Sequence, residues 1–123
     1  MTHLMMRCCF PVTIQAEGLQ TTTGGLYSHA EGQFTTASGN YSHAEGNNTS
    51  SLGESSHSEG TSTSADGISS HAEGNRGIAS GDYSHAEGSL TQSIGESSHA
   101  EGSQTIASGT TSHAEGNSTQ ATS

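Results

Sequence analysis

Ser42-His43-Ala44-Glu45-Gly46-Asn47-Asn48-Thr49-Ser50-Ser51-Leu52-Gly53 decides how this chain is read. The frame set by its first five residues begins at Ser28 and recurs at Ser42, Ser56, Ser70, Ser84, Ser98 and Ser112, always 14 residues on, with no insertion or deletion. A degenerate earlier copy, Ile14-Gln15-Ala16-Glu17-Gly18, carries Gln15 in place of the histidine. Self-similarity at a fixed short period is the signature of a stacked repeat, in which each unit buries its faces only against its neighbours.

Each unit falls into two halves, both closed by glycine. The first column is Gly18, Gly32, Gly46, Gly60, Gly74, Gly88, Gly102 and Gly116, and the second is Gly25, Gly39, Gly53, Gly67, Gly81, Gly95 and Gly109. Glycine at fixed offsets marks places where the backbone needs a positive φ or a close approach, as the corner of a solenoid does. Between corners the pattern alternates with period two, the period of a strand. Ser42 and Ala44 share one face while His43 and Glu45 share the other, and the second half adds Thr35 with Ala37, Thr49 with Ser51 and Thr105 with Ala107. Small residues on one face of both halves predict a narrow coil, closer than the ~10 Å of ordinary stacked sheets. Two glycines per unit make a helix too costly. The expected fold is all-β: a parallel β-solenoid of about eight coils over 14–123, preceded by a poorly ordered N-terminal leader over 1–13.

Composition narrows function by exclusion. Only 27% of the 123 residues are hydrophobic and tryptophan is absent, so a conventional core is out of reach. Without the strict phase, such a chain would read as disordered. The formal net charge is −10 against two cations, Arg7 and Arg76. That lacks the basic stripe of a nucleic-acid binder and disfavours anionic membranes. No apolar run approaches the ~20 residues of a membrane span. Cys8 and Cys9 are adjacent, which suits neither a disulfide staple nor C-x-x-C metal spacing. No cofactor is expected. Ser28 and His29, as strand neighbours, point to opposite faces and cannot form a nucleophile–base pair, so the chain is not expected to be an enzyme.

The unit Tyr41-Ser42-His43-Ala44-Glu45-Gly46, followed by Thr49, Ser51 and Gly53, resembles the head repeat of YadA-like trimeric autotransporter adhesins, and similar S-H-A-E-G repeats resemble those of surface and phage-tail proteins. The likeness covers about residues 14 to 123. It implies a left-handed parallel β-roll, three chains packed around a threefold axis, and a non-catalytic module of an adhesin head or surface fibre. It also implies an extracellular, cell-surface or virion-tail location. The family's unit reads S-V-A-I-G then A-x-A-x-G, with Val and Ile facing the trimer interior. Here those positions hold His29/Glu31, His43/Glu45, His57/Glu59, His71/Glu73, His85/Glu87, His99/Glu101 and His113/Glu115. Nothing resembles the coiled-coil stalk or membrane anchor of the family.

Three readings of the His–Glu column stand side by side: a polar interface in which each His hydrogen-bonds a Glu of its own or a neighbouring chain, a solvated face, or a metal-binding face. Stacked carboxylates about 5 Å apart repel by about 0.8 kcal/mol in water, so a bare Glu column is costly and the imidazoles are the expected compensation. An x-separated His and Glu is not a specific zinc spacing, so the site set carries no metal. The threonines Thr21, Thr35, Thr49, Thr63, Thr91, Thr105 and Thr119 invite an ice-binding reading. Tyr27, Tyr41 and Tyr83 are expected to cover coil edges, and Leu52, Ile78, Ile94 and Ile106 to serve local packing. The expected partner is a second copy of the chain, with an unidentified surface ligand beside it. Neither end carries a polar capping repeat, which leaves an end-to-end filament, or a piece of a longer adhesin, as alternatives.

Overall fold

A computed structural model describes residues 13–123. The leader expected over 1–13, with Cys8 and Cys9, lies outside the described residues except for Thr13. Sixteen strands alternate long and short along the chain. The long ones are β1 (Gln15–Leu19), β3 (His29–Gln33), β5 (His43–Asn47), β7 (His57–Thr61), β9 (His71–Asn75), β11 (His85–Ser89), β13 (His99–Ser103) and β15 (His113–Asn117). The short ones are β2 (Thr22–Thr23), β4 (Thr36–Ala37), β6 (Ser50–Ser51), β8 (Ser64–Ala65), β10 (Ile78–Ala79), β12 (Gln92–Ser93), β14 (Ile106–Ala107) and β16 (Gln120–Ala121). Long strands form one eight-stranded sheet and short strands another, each in sequential order. All pairings are parallel and in register at the repeat: His43 meets His29 and His57, and Gly46 meets Gly32 and Gly60. The chain is a β-solenoid of about eight coils. No helix among the described residues is long and apolar enough to cross a membrane.

The interior is built from the smallest side chains. Ser42 and Ala44 from the long strand, and Thr49 and Ser51 from the short, are all at most 1% exposed. The largest fully buried side chains are threonines. A buried methyl contributes roughly 0.8 kcal/mol, so burial alone stabilises each coil weakly. The coil-to-coil backbone ladder carries the rest, with bonds such as His43 N–H to the Ser56 carbonyl at 2.9 Å and Thr36 N–H to the Thr49 carbonyl at 2.9 Å. The buried serines are satisfied within the turn. The Ser42 hydroxyl donates to the Gly39 carbonyl at 2.6 Å, a carbonyl that also accepts the Ser42 N–H at 3.2 Å. The same hydroxyl bond recurs from Ser56 to Gly53 and from Ser98 to Gly95.

The two glycine columns do different work. In the first, Gly46 has φ +113° and a Cβ there would lie 2.2 Å from the carbonyl oxygen of Gly60 one coil on. In the second, φ is not positive; a Cβ on Gly67 would instead lie 2.1 Å from the Gly81 oxygen. Left-handed backbone is not confined to glycine. Every seventh residue, including Phe34 (φ 57°), Tyr41 (φ 60°), Asn48 (φ 59°) and Arg76 (φ 58°), turns a corner in that conformation. The cost of about 1–2 kcal/mol for a non-glycine residue is offset from Phe34 onward by an inter-coil bond at each: Tyr41 N–H reaches the Leu26 carbonyl at 2.8 Å and Asn48 N–H the Gln33 carbonyl at 2.8 Å.

Candidate functional site

The period-two strand places histidine and glutamate of every motif on the outer face of the long-strand sheet, opposite the buried Ser and Ala. In the inner coils these side chains are about one-third exposed, His57 at 35% and Glu59 at 34%. In the last described coil His113 and Glu115 rise to 52% and 68%. Exact register stacks the imidazoles: His43 lies over His57 at 4.8 Å between ring centroids with planes 1° apart, and His71 over His85 at 4.8 Å and 1°. The stack runs unbroken from His29 to His113.

The expected His–Glu hydrogen bond does not form within the chain. Nε2 of each histidine lies 3.4–3.8 Å from the carboxylate two residues on, from His29–Glu31 at 3.5 Å to His71–Glu73 at 3.8 Å and His113–Glu115 at 3.4 Å. That exceeds the ~2.7–3.2 Å of a hydrogen bond. Nε2 of His29, His43, His57, His71, His85 and His99 is shielded from solvent and has no hydrogen-bond partner. Only the degenerate coil closes the gap among the described residues, where the more flexible Gln15 donates its amide to Glu17 at 3.0 Å. The glutamates also alternate. Glu45 lies 3.8 Å from both His43 and His57, and Glu73 lies 3.8 Å from both His71 and His85. Glu45 thus links His43 to His57, and Glu73 links His71 to His85.

At His71 and His85, protonation is not the compensation that charge arithmetic suggests. Burial first, and the neighbouring His57 second, hold His71 below its ordinary value, outweighing attraction from Glu59 and Glu87. Burial first, and His71 second, do the same to His85 against Glu87. Among the carboxylates, hydrogen-bonding sharing with Glu73 and Glu101 holds Glu87 below its ordinary range, while the same sharing with Glu87 and Glu115 pushes Glu101 up. An open groove of about 1080 Å³ follows this edge, floored by first-column glycines and walled by carboxylates from Glu17 to Glu87.

Other expected features fall differently. Thr35, Thr49, Thr63, Thr91 and Thr105 are 0–1% exposed. They line the interior and cannot present an ice-binding array. Ser28 is buried and donates its hydroxyl to the Gly25 carbonyl, with His29 on the opposite face, so the motif's serine and histidine form no catalytic pair. Tyr27 and Tyr41 stack at 5.4 Å along a corner, and Tyr41 and Tyr83 are 58% and 59% exposed. Leu52, Ile78 and Ile94, expected to pack locally, stand exposed. Sequence reading gave no corner role to Asn40 and Asp82, whose side-chain oxygens accept the backbone N–H of Leu26 and Ile68 one coil earlier, each at 2.9 Å. A carboxylate or amide recurring at one corner offset is the signal that could have found them. No protein-family model matches the chain, and no curated protein matches it.

Proposed function

We propose that the chain is a non-catalytic, rigid structural module of a bacterial or phage surface fibre or adhesin head, and that copies associate side by side through the His/Glu face, three to an assembly. The observation that carries this reading is the face itself. Seven His–Glu pairs repeat in register, with six shielded Nε2 atoms lacking a hydrogen-bond partner. Buried polar groups are seldom left unpaired. A second copy, offering the same columns at the same spacing, supplies partners along the full length of the face. Closed symmetric assembly is the ordinary form of a homo-oligomer, and a threefold closure joins one part of this face to a different part of the next copy's. Exposed Tyr27, Phe34, Tyr41, Leu52 and Tyr83 on the corners add apolar area around the polar face. The resemblance of the 14-residue unit to YadA-like head repeats supports both the trimer and the extracellular role.

Sedimentation of the purified chain between pH 4 and pH 9 tests the reading. A discrete multimer whose mass changes across the range supports it. A monomer throughout contradicts it.

A further inference from the structure

The distances in the ladder fit a different bond better than the one they fail to make. Around a tetrahedral zinc ion with ligand bonds of about 2.0–2.2 Å, donor atoms sit roughly 3.3–3.6 Å apart. Nε2 of His57 lies 3.6 Å from Glu59 and 3.8 Å from Glu45 of the coil before, and the three donor atoms all lie within 4.8 Å of one another. His85 repeats this with Glu87 at 3.6 Å and Glu73 at 3.8 Å. Both Nε2 atoms are shielded and without a hydrogen-bond partner, so an ion here would satisfy a donor set that the chain leaves open.

We propose that the outer face is a linear array of binding sites for first-row divalent cations of the zinc type, each ion held by one imidazole and two carboxylates from a pair of adjacent coils. His57 with Glu45 and Glu59, and His85 with Glu73 and Glu87, are the two central sites. All three ligands of a site belong to one chain, so the proposal does not rest on side-by-side assembly; at His57 and His85 an ion and a second copy are alternative partners for the same Nε2.

The chemistry favours this class of ion. Imidazole beside carboxylate suits Zn²⁺, Co²⁺ and their neighbours, whereas Ca²⁺ seeks 6–8 oxygens that a flat strand face does not converge. Metal ligation needs neutral imidazole, the form an unperturbed histidine takes at pH 7.5. A dication also relieves the repulsion between stacked carboxylates, in a chain of formal net charge −10. The His57 and His85 sites lie two coils apart, about 9.6 Å at the ~4.8 Å strand spacing, which limits repulsion between their ions. Three ligands on one face leave the fourth position to water.

Titration of the full chain with Zn²⁺ at pH 7.5, followed by calorimetry and by the imidazole proton resonances, tests the proposal. At least two ions per chain, an upward shift of the melting temperature that EDTA reverses, and movement of the histidine resonances are expected. Retention of bound Zn²⁺ under a tenfold excess of Ca²⁺ is expected as well. His57→Gln should remove one ion, with the metal-free melting curve close to the parent's. Should that variant fail to fold, the parent's resonances still decide. Histidine signals that stay fixed under excess Zn²⁺ would overturn the proposal, as would Zn²⁺ displaced by Ca²⁺ at parity.

Discussion

The hydroxyls of Ser51 and Ser58, half a coil apart in sequence, meet inside the solenoid at 2.7 Å. Both occupy positions that other coils fill with alanine, as Ala37 and Ala44 do, and both are fully buried. Ser51 is also within 2.6 Å of the His43 carbonyl, to which it donates. Ser58 thus depends on Ser51 for its partner, whereas Ser51 also has the His43 carbonyl.

Removing one member should cost more than removing both. Ser51→Ala strands the Ser58 hydroxyl in an apolar interior, a loss of about 1–3 kcal/mol, whereas the double change to alanine restores the pattern of the other coils and should be nearly neutral. Ser58→Ala alone leaves Ser51 its carbonyl partner and should cost less than Ser51→Ala. Urea denaturation of the three variants checks the order, and simple additivity would contradict it.

Glycines that look alike in sequence should differ sharply. Gly67→Ala drives a Cβ to 2.1 Å from the Gly81 oxygen, backbone that cannot yield without parting two coils. A loss of about 3 kcal/mol or more is expected, the upper end for overpacking. Gly24→Ala meets nothing nearer than 3.7 Å, at an ordinary φ, and the equivalent position holds Ser38, Leu52 and Asp66 in later coils. It should be neutral or stabilise by about 0.4–1 kcal/mol. The midpoints of chemical denaturation separate the two cases.

Acid should weaken the fold before the carboxylates titrate. His71 and His85 are held below their ordinary value of 6.5 in the folded chain, facing His57, His99, Glu59, Glu73 and Glu87. The unfolded chain therefore takes up protons first as pH drops through 6.5. Stability is intact above that point and falls as pH descends toward the folded values. Replacing both residues by glutamine, which β1 already accommodates at Gln15, should flatten the decline between pH 7 and pH 5. An unaltered slope in urea melts over that range would count against the cause.

Coil, phase and inward face were legible in the sequence because each is written in side chains that the backbone demands: Gly46 for its φ, Ala44 and Ser51 for their size. The corner conformation was not. Tyr41, Arg76 and Thr111 are poor residues for left-handed backbone, Thr111 (φ 57°) most of all as a β-branched one. They adopt it because the preceding coil fixes their N–H, a non-local cause that composition does not record. The threonine column misled for a related reason. Period two shows that Thr49 and Ser51 share a face, yet a repeated threonine reads equally well as displayed or enclosed. Pairing of His43 with Glu45 was legible as proximity; the 3.8 Å gap that keeps them from bonding depends on side-chain reach from a flat strand.

Mass in solution tests the account of this face most directly. Sedimentation equilibrium at micromolar concentration and pH 7.5 should give one species at three times the 12.4 kDa chain, dissociating in acid as stacked imidazoles such as His71, held below the ordinary 6.5, take up protons. A 12.4 kDa monomer at every pH would contradict self-association through the His/Glu ladder.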